Sequence, residues 1–211
     1  MIRLLAIAVL ALPLLTQSLS AAPALSFEAA LSSIRSTVRE TQKKQIQAKD
    51  ASQASSIRRV SNDLSRYRWD LQDAQRKIKD ISRRAKQLAN DRNRDPNHQD
   101  PFLRNDIRRL LWDLRDLNRD LNRASQTVSQ LLRTAKKSPE SVSPAQSLVS
   151  NTRWLKSDAG WMESDARWLR SDLRRAGFTF EGWDIEREVD VIDRKTRDLE
   201  RDSRSLQTKV R

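Results

Sequence analysis

The sequence predicts an all-α protein, an elongated antiparallel bundle of about five helices with coiled-coil-like heptad packing. Apolar residues recur at alternating spacings of three and four over long stretches, which is typical of amphipathic helices that each bury one seam. Only 3 glycines and 6 prolines occur among 211 residues, too few for the many turns of an all-β fold. We therefore expect a single helical-bundle domain over residues 25–211.

The first 24 residues have the composition of a secretory signal peptide. Arg3 precedes an apolar run from Leu4 to Leu12, and small residues follow as far as Ala24. The run is too short to span a bilayer, which takes about 20 residues, and no later stretch is as apolar. We expect cleavage after Ala24, with Ala21 as the alternative, and a mature periplasmic or extracellular protein without a transmembrane segment.

One short apolar stripe and four long seams predict the helices. The stripe begins near Phe27 and ends near Thr41, close to the mature N-terminus. A linker without proline or glycine, KDASQASS, follows it, so a turn near residues 52–56 and one bent continuous helix both remain open. The seams, in chain order, consist of Ile57, Val60, Leu64, Tyr67, Leu71, Ala74, Ile78, Ile81, Ala85 and Leu88; Ile107, Leu110, Leu114, Leu117, Leu121, Ala124, Val128 and Leu131; Leu148, Thr152, Leu155, Ala159, Met162, Ala166, Leu169, Leu173 and Ala176; and Ile185, Val189, Ile192, Thr196, Leu199, Ser203 and Leu206.

Breaks between the seams agree with known helix start and stop signals. Asp100 before Pro101 predicts an N-cap with proline at the first helical position, and Ser143 before Pro144 repeats that signal. Gly177 is expected to end the next helix, and GFTFEGWD at 177–184 to form a compact apolar turn. Such short connections favour antiparallel sequential neighbours.

The chain is basic, with a net charge of +13 at pH 7, and the surplus lies in its first two thirds. Such a field attracts anionic polymers or surfaces at low salt and weakens with screening. For an exported protein the candidate anions are lipid head groups, lipopolysaccharide, cell-wall polymers or acidic proteins. The alternative is a basic surface that serves solubility alone.

Residues 154–174 read WLKSDAG WMESDAR WLRSDLR, three seven-residue units with a tryptophan at the head of each and an aspartate four places later. The members of this ladder are Trp154, Trp161, Trp168, Asp158, Asp165 and Asp172. In the heptad frame the tryptophans flank the apolar seam, and each indole N–H could donate to the following carboxylate. We expect the ladder to be structural, a second apolar stripe that packs on a second neighbouring helix. An exposed aromatic groove is the alternative.

Trp69 and Trp112 project away from their seams in the same frame. Exposed aromatic side chains on basic helices are candidates for partner binding. The cationic residues that accompany these two tryptophans are Arg66, Arg68, Arg108, Arg115 and Arg119. We predict that this set forms the partner-binding surface.

We predict no catalytic, metal or cofactor site. The chain has no cysteine and a single histidine, His98, so the usual zinc sites lack ligands and a Ser–His–Asp triad lacks a desolvated base. Acidic and amide residues alternate over 91–99 as in a calcium loop, but Pro96 replaces the required glycine and Phe102 the bidentate glutamate. Three glycines provide no phosphate-binding loop. We therefore expect a protein that is not an enzyme.

These expectations combine into an exported, non-catalytic binding or scaffold protein of the cell envelope. Its basic helical faces would engage an anionic protein, lipid head groups or a cell-wall polymer, and export would keep it from most nucleic acid. Two alternatives remain open. One is a purely structural coiled-coil protein that self-associates into a homo-oligomer, and the other is a helical holdase-type periplasmic chaperone with an uncovered concave apolar surface.

Overall fold

The computed structural model describes residues 27–94 and 100–211, with side chains for 34–92, 100 and 102–211. These residues form four α-helices that pack against each other, and no strand occurs among them: α1 (Phe27–Arg94), α2 (Pro101–Thr134), α3 (Pro139–Arg175) and α4 (Thr179–Val210). The all-α prediction is confirmed. Within the described ranges, no helix has a stretch apolar and long enough to cross a membrane. The predicted signal peptide, residues 1–24, lies outside them.

The expected count of about five helices is not confirmed, because α1 continues unbroken for 68 residues. Its linker holds no proline or glycine, so nothing in the local sequence forces a turn there. By packing, the chain divides into two units, Met1–Ala48 and Lys49–Arg211. In the first unit residues 34–48 are all exposed, including Ile34, Val38 and Ile46.

The core of the second unit consists of the predicted seams. Every seam residue there is buried except Tyr67 and Leu131, which are partly buried against the core. Two polar seam members bond within their own helix: the Thr152 hydroxyl donates to the Val149 carbonyl at 3.0 Å, and the Thr196 hydroxyl to the Asp193 carbonyl at 2.8 Å. The buried Ser203 hydroxyl has no hydrogen-bond partner among the described residues. Buried positions along each helix therefore alternate at spacings of three and four.

Two neighbouring helix pairs in the second unit are antiparallel, as predicted. Lys77 of α1 contacts Asp113 of α2 at 3.0 Å, and Arg84, one heptad further along α1, bonds to Asp106, one heptad earlier on α2. On α3 and α4, Lys156 Nζ lies 2.8 Å from Glu200, and Arg170 pairs with Glu186. The pairs α1–α2 and α3–α4 thus run in opposite directions.

The other two neighbouring pairs are parallel, which the prediction of an antiparallel bundle missed. Hydrogen bonds join α1 to α3 at a constant offset of 90 residues, for example Arg68 to Asp158 at 2.8 Å. Asn118 of α2 donates to Glu188 of α4 at 2.6 Å, and further along the same two helices Ser129 donates to Asp202. The bundle order is therefore α1, α2, α4, α3, and the consecutive helices α2 and α3 lie at opposite corners.

Helix boundaries follow some of the predicted signals and not others. Asp100 caps α2 as predicted, since its carboxylate accepts from the backbone N–H groups of Phe102 and Leu103, both at 3.0 Å. Gly177 follows the end of α3, as predicted, and its φ of 86° lies in the left-handed region that favours glycine.

The predicted start of the third long helix at Ser143–Pro144 is wrong. The helix α3 begins earlier, at Pro139, and Pro144 lies inside it. Ser138 is the N-cap instead, with Pro139 as the first helical residue and no hydrogen bond from the cap side chain. The Ser138 backbone N–H donates to the Val210 carbonyl at 3.0 Å, which ties this end of α3 to α4. The predicted turn over 177–184 is also wrong beyond Phe178, since α4 begins at Thr179.

Candidate partner-binding surface

All six tryptophans of the chain are exposed. The exposed fractions are 70% for Trp69, 66% for Trp112, 55% for Trp154, 67% for Trp161, 69% for Trp168 and 54% for Trp183. The predicted outward direction of Trp69 and Trp112 is confirmed. The expectation that the ladder tryptophans pack on a second neighbouring helix is wrong.

The ladder aspartates bond to α1 and not to the indoles. Each contacts two α1 side chains that lie four residues apart. Asp158 accepts from Arg68 and Gln72, at 2.8 and 2.9 Å. Asp165 accepts from Gln75 at 2.6 Å and pairs with Lys79 at 3.4 Å, and Asp172 accepts from Ser82 and lies 3.6 Å from Lys86.

A polar contact between α3 and α1 also occurs one heptad before Asp158, the first ladder aspartate. Asn151 donates to the backbone carbonyl of Ser61 and to the hydroxyls of Ser61 and Ser65, each at 2.9 Å. Four successive heptads of α3 therefore hold α1 in parallel register through one column of polar side chains. This column leaves the neighbouring tryptophan column on the outside.

The outward side of α3 carries three columns of residues, each with a seven-residue repeat. We call it the ladder face. Its columns are Trp154, Trp161 and Trp168; Ser157, Ser164 and Ser171; and Arg153, Gly160, Arg167 and Arg174. All of these residues are exposed except Ser171, which is half-buried. Seven residues rise about 10.5 Å along a helix, so indoles recur at that spacing.

The three ladder indoles differ in how far α1 covers them. The Arg68 guanidinium stacks over the Trp154 ring, 5.1 Å from its centroid, in a cation–π contact. One and two heptads further along α1, the equivalent positions are Gln75 and Ser82, which are uncharged. Trp154 is accordingly the least exposed of the three, and the rings of the other two are more open.

A groove between α3 and α4 borders the central indole. It has a volume of about 740 Å³ and is lined by Arg153, Lys156, Ser157, Gly160, Trp161, Asp193 and Arg197. Lys156 pairs with Glu200, and Arg197 pairs with Asp193 at 2.6 Å. A Cβ added to Gly160 would meet nothing within 4 Å. The groove is open, bounded by one indole and three cations.

The predicted arginines around Trp69 and Trp112 are divided between α1 and α2. Arg115 pairs with Glu188 at 3.4 Å and Arg119 with Asp116, while Arg66 and Arg108 are exposed. Lys77 of α1 pairs with Asp113 of α2, so Trp112 lies opposite the Lys77 region of α1. Along the helix axis this is about nine residues, or about 14 Å, from Trp69.

Trp183 and Gly160 were missed from the sequence. The Arg170 guanidinium lies 3.7 Å from the Trp183 centroid and also bonds to Glu186 at 2.7 Å. Extending the seam of α4 back to Thr179 would have placed Trp183 on a helix. For Gly160 the signal is its heptad column, in which the three other residues are all arginine.

Two carboxylates with shifted pKa values, Glu200 and Asp190, belong to α4. The hydrogen bond from Lys156 holds the pKa of Glu200 below its usual value, although burial opposes this. Burial raises the pKa of Asp190, and the nearby Glu163 and Glu186 add to the effect. These shifts have causes within the bundle and do not depend on a ligand.

Within the described ranges no group of three His, Cys, Asp or Glu side chains could hold a metal ion. His98 lies outside those ranges. Comparison with protein-family models, with curated proteins and with solved structures finds no match to this chain. The function must therefore be argued from its own surface.

Proposed function

We propose that this protein is an exported, non-catalytic binding or scaffold protein of the cell envelope, and that its basic, tryptophan-bearing faces engage an anionic partner. The observation that carries the proposal is the exposure of every tryptophan while the seams are buried. Tryptophan and arginine dominate the binding energy of protein interfaces, because they bury large areas and fill pockets well. Six such side chains in water indicate surfaces that a partner covers.

A rigid scaffold suits this role. Buried positions alternate at spacings of three and four on all four helices, which supports coiled-coil-like packing of the bundle. Residues that stand on such helices keep a fixed spacing, so a partner meets a preformed surface and loses less entropy on binding. Trp69, Trp112 and the ladder face are the anchors in this proposal.

Charge supports an anionic partner. The net charge is +13, and the exposed cations Arg153, Arg167 and Arg174 form a column beside the ladder indoles. Localisation outside the cytoplasm rests on the predicted signal peptide of residues 1–24. An anionic protein, lipid head group or cell-wall polymer would each meet this surface there.

One alternative has some support from the structure. The exposed Ile34, Val38 and Ile46 of the first unit would suit a self-associating, purely structural protein. A holdase needs an apolar concave surface, and the grooves found among the described residues are lined mainly by charged side chains. That lining does not favour the chaperone alternative.

Co-sedimentation with envelope fractions at low and high salt tests the proposal. We expect binding that weakens with salt, that falls about tenfold in a Trp161→Ala, Trp168→Ala double variant, and that also falls in a Trp69→Ala, Trp112→Ala double variant. Trp183→Ala is the comparison variant, and we expect a smaller loss because the Arg170 guanidinium lies over one side of that indole, 3.7 Å from its centroid. Equal binding by all variants at both salt concentrations would contradict the proposal.

A further inference from the structure

The exposed arginine column of α3 is interrupted at one position. Arg153, Arg167 and Arg174 share a heptad position with Gly160, and all four are exposed. Glycine is a poorer helix former than arginine or alanine, because it loses more backbone freedom on folding. A Cβ at this position would meet nothing within 4 Å. Neither backbone conformation nor packing of the described residues requires this glycine.

The glycine has one local effect, which is to open the groove beside Trp161. An arginine at this position would project into the space between α3 and α4 that Arg153 and Arg197 border. With glycine there, the helix backbone, the indole and the flanking cations are all accessible from solvent. A binding site would explain a residue that otherwise only weakens the helix.

We propose that this groove receives a carboxylate side chain from an acidic α-helix of a partner protein, and that this helix lies along the ladder face. The inference rests on the proposed function and deepens it by naming the partner class. Trp161 is the central apolar contact, and the absent side chain at Gly160 allows the partner to approach the backbone of α3.

The charges of the groove favour a carboxylate. Lys156 and Arg197 each pair with an acid of α4, whereas no described residue forms an ion pair with Arg153. The groove therefore has an uncompensated guanidinium, which can bind a carboxylate through two parallel hydrogen bonds. Recognition of acidic motifs by arginine clusters is a recurring mode of peptide binding.

The repeat of the ladder face favours a helix over a lipid surface or a flexible polyanion. Indoles recur about every 10.5 Å, which is two turns of an α-helix. A partner helix with a heptad repeat presents equivalent side chains at the same interval, so its contacts with successive indoles stay in register. A membrane surface has no such period.

A second copy of this chain fits the ladder face less well. Its exposed large aliphatic side chains among the described residues, Ile34, Val38 and Ile46, lie on a stretch that is itself basic. The cations of that stretch are Arg35, Arg39, Lys43 and Lys44. Like charges at an interface oppose association, so charge favours an acidic partner.

Gly160→Arg separates this proposal from simple charge attraction. Three other heptads already carry arginine at this position, so the variant should fold. It adds a positive charge and fills the groove. Attraction by charge alone predicts tighter binding of an acidic ligand, whereas the proposal predicts weaker binding.

The probe is a synthetic three-heptad amphipathic peptide rich in glutamate, with a scrambled peptide of the same composition and polyglutamate for comparison. Binding is followed by titration calorimetry with the full chain. We expect the heptad peptide to bind about tenfold more tightly than the scrambled one, and both Gly160→Arg and Trp161→Ala to lose about tenfold. Gly160→Ala is the control and should change the affinity less than about threefold.

Different results would overturn different parts of the argument. Unchanged or tighter binding by Gly160→Arg would refute the groove, and equal binding of heptad and scrambled peptides would refute the helical partner. Both results would leave an anionic partner in place. If light scattering shows a dimer that Gly160→Arg dissociates, a second copy occupies the groove. Failure of every acidic probe and of envelope fractions to bind would remove the proposed function as well.

Discussion

Replacing Trp161 with alanine should cost the fold little, whereas replacing its neighbour Met162 should cost it much. Both residues lie in the same turn of α3, so local helix context is matched. Trp161 is 67% exposed and Met162 is completely buried. The pair therefore tests whether the ladder indoles are surface residues or part of the core.

The magnitudes follow from burial. Truncating a fully buried tryptophan to alanine costs about 3–5 kcal/mol, and a buried methionine about 2–5 kcal/mol. About a third of Trp161 is covered, which scales its loss to about 1–1.5 kcal/mol. Alanine is the better helix former by about 0.5 kcal/mol, so the net cost of Trp161→Ala is about 0.5–1 kcal/mol.

Urea unfolding followed by far-ultraviolet circular dichroism measures both variants, because the helical signal does not depend on the indole that is removed. Equal slopes with denaturant are needed for the midpoints to be compared. If Trp161→Ala destabilises as much as Met162→Ala, the indole is structural, and both the ladder face and the proposals built on it are wrong.

Three further outcomes can be measured in the same way. Gly160→Ala should raise the free energy of unfolding by about 1 kcal/mol; a decrease would reveal a packing contact at that position. Asp172→Ala should cost about 1–3 kcal/mol and Asp165→Ala less than about 1, because the Asp172 side chain is 4% exposed and the Asp165 side chain 26%; the reverse order would contradict the burial argument. Burial and two glutamates raise the pKa of Asp190, so its charged form is disfavoured in the folded state. Asp190→Asn should therefore stabilise the protein at neutral pH, by less than about 1 kcal/mol, and the gain should vanish as the pH falls below the usual aspartate pKa of 3.8. A gain that is independent of pH would exclude this cause.

The sequence predicted which residues are buried because burial follows a period that is visible along one helix. Residues such as Leu64, Leu114 and Ile185 recur in phase with their neighbours, and no tertiary information is needed to identify them. The cap at Asp100 and the stop at Gly177 were equally local. Each depends on the hydrogen bonding or the backbone angle of one short segment.

The neighbours of each helix could not be predicted in the same way. A heptad seam indicates that a helix has a buried side, but it does not indicate which other helix covers that side. The parallel pair α1–α3 is fixed by contacts such as Gln75 to Asp165, which join residues 90 apart. Sequence reasoning assigned these aspartates to the indoles four residues earlier, because only contacts within a helix can be read from spacing.

The residues beside the ladder explain its exposure once the contacts of the aspartates are known. A tryptophan column next to the seam suits either a second interface or the surface. The next two columns on the ladder face consist of serines (Ser157, Ser164 and Ser171) and mainly of arginines. These residues are polar and mostly exposed. Since the aspartate column already contacts α1, the tryptophans fall on the outer side of that contact.

One repeat unit of α3 thus serves three surfaces at once. In the central heptad Met162 fills the core, Asp165 holds α1 in register, and Trp161 faces solvent. Because the same period governs all three, the register set by the aspartates also decides which α1 side chain lies beside each indole. Arg68 therefore covers Trp154, while the equivalent α1 positions for the other two ladder indoles, Gln75 and Ser82, are uncharged. The contact that assembles the bundle therefore also determines which indoles stay uncovered.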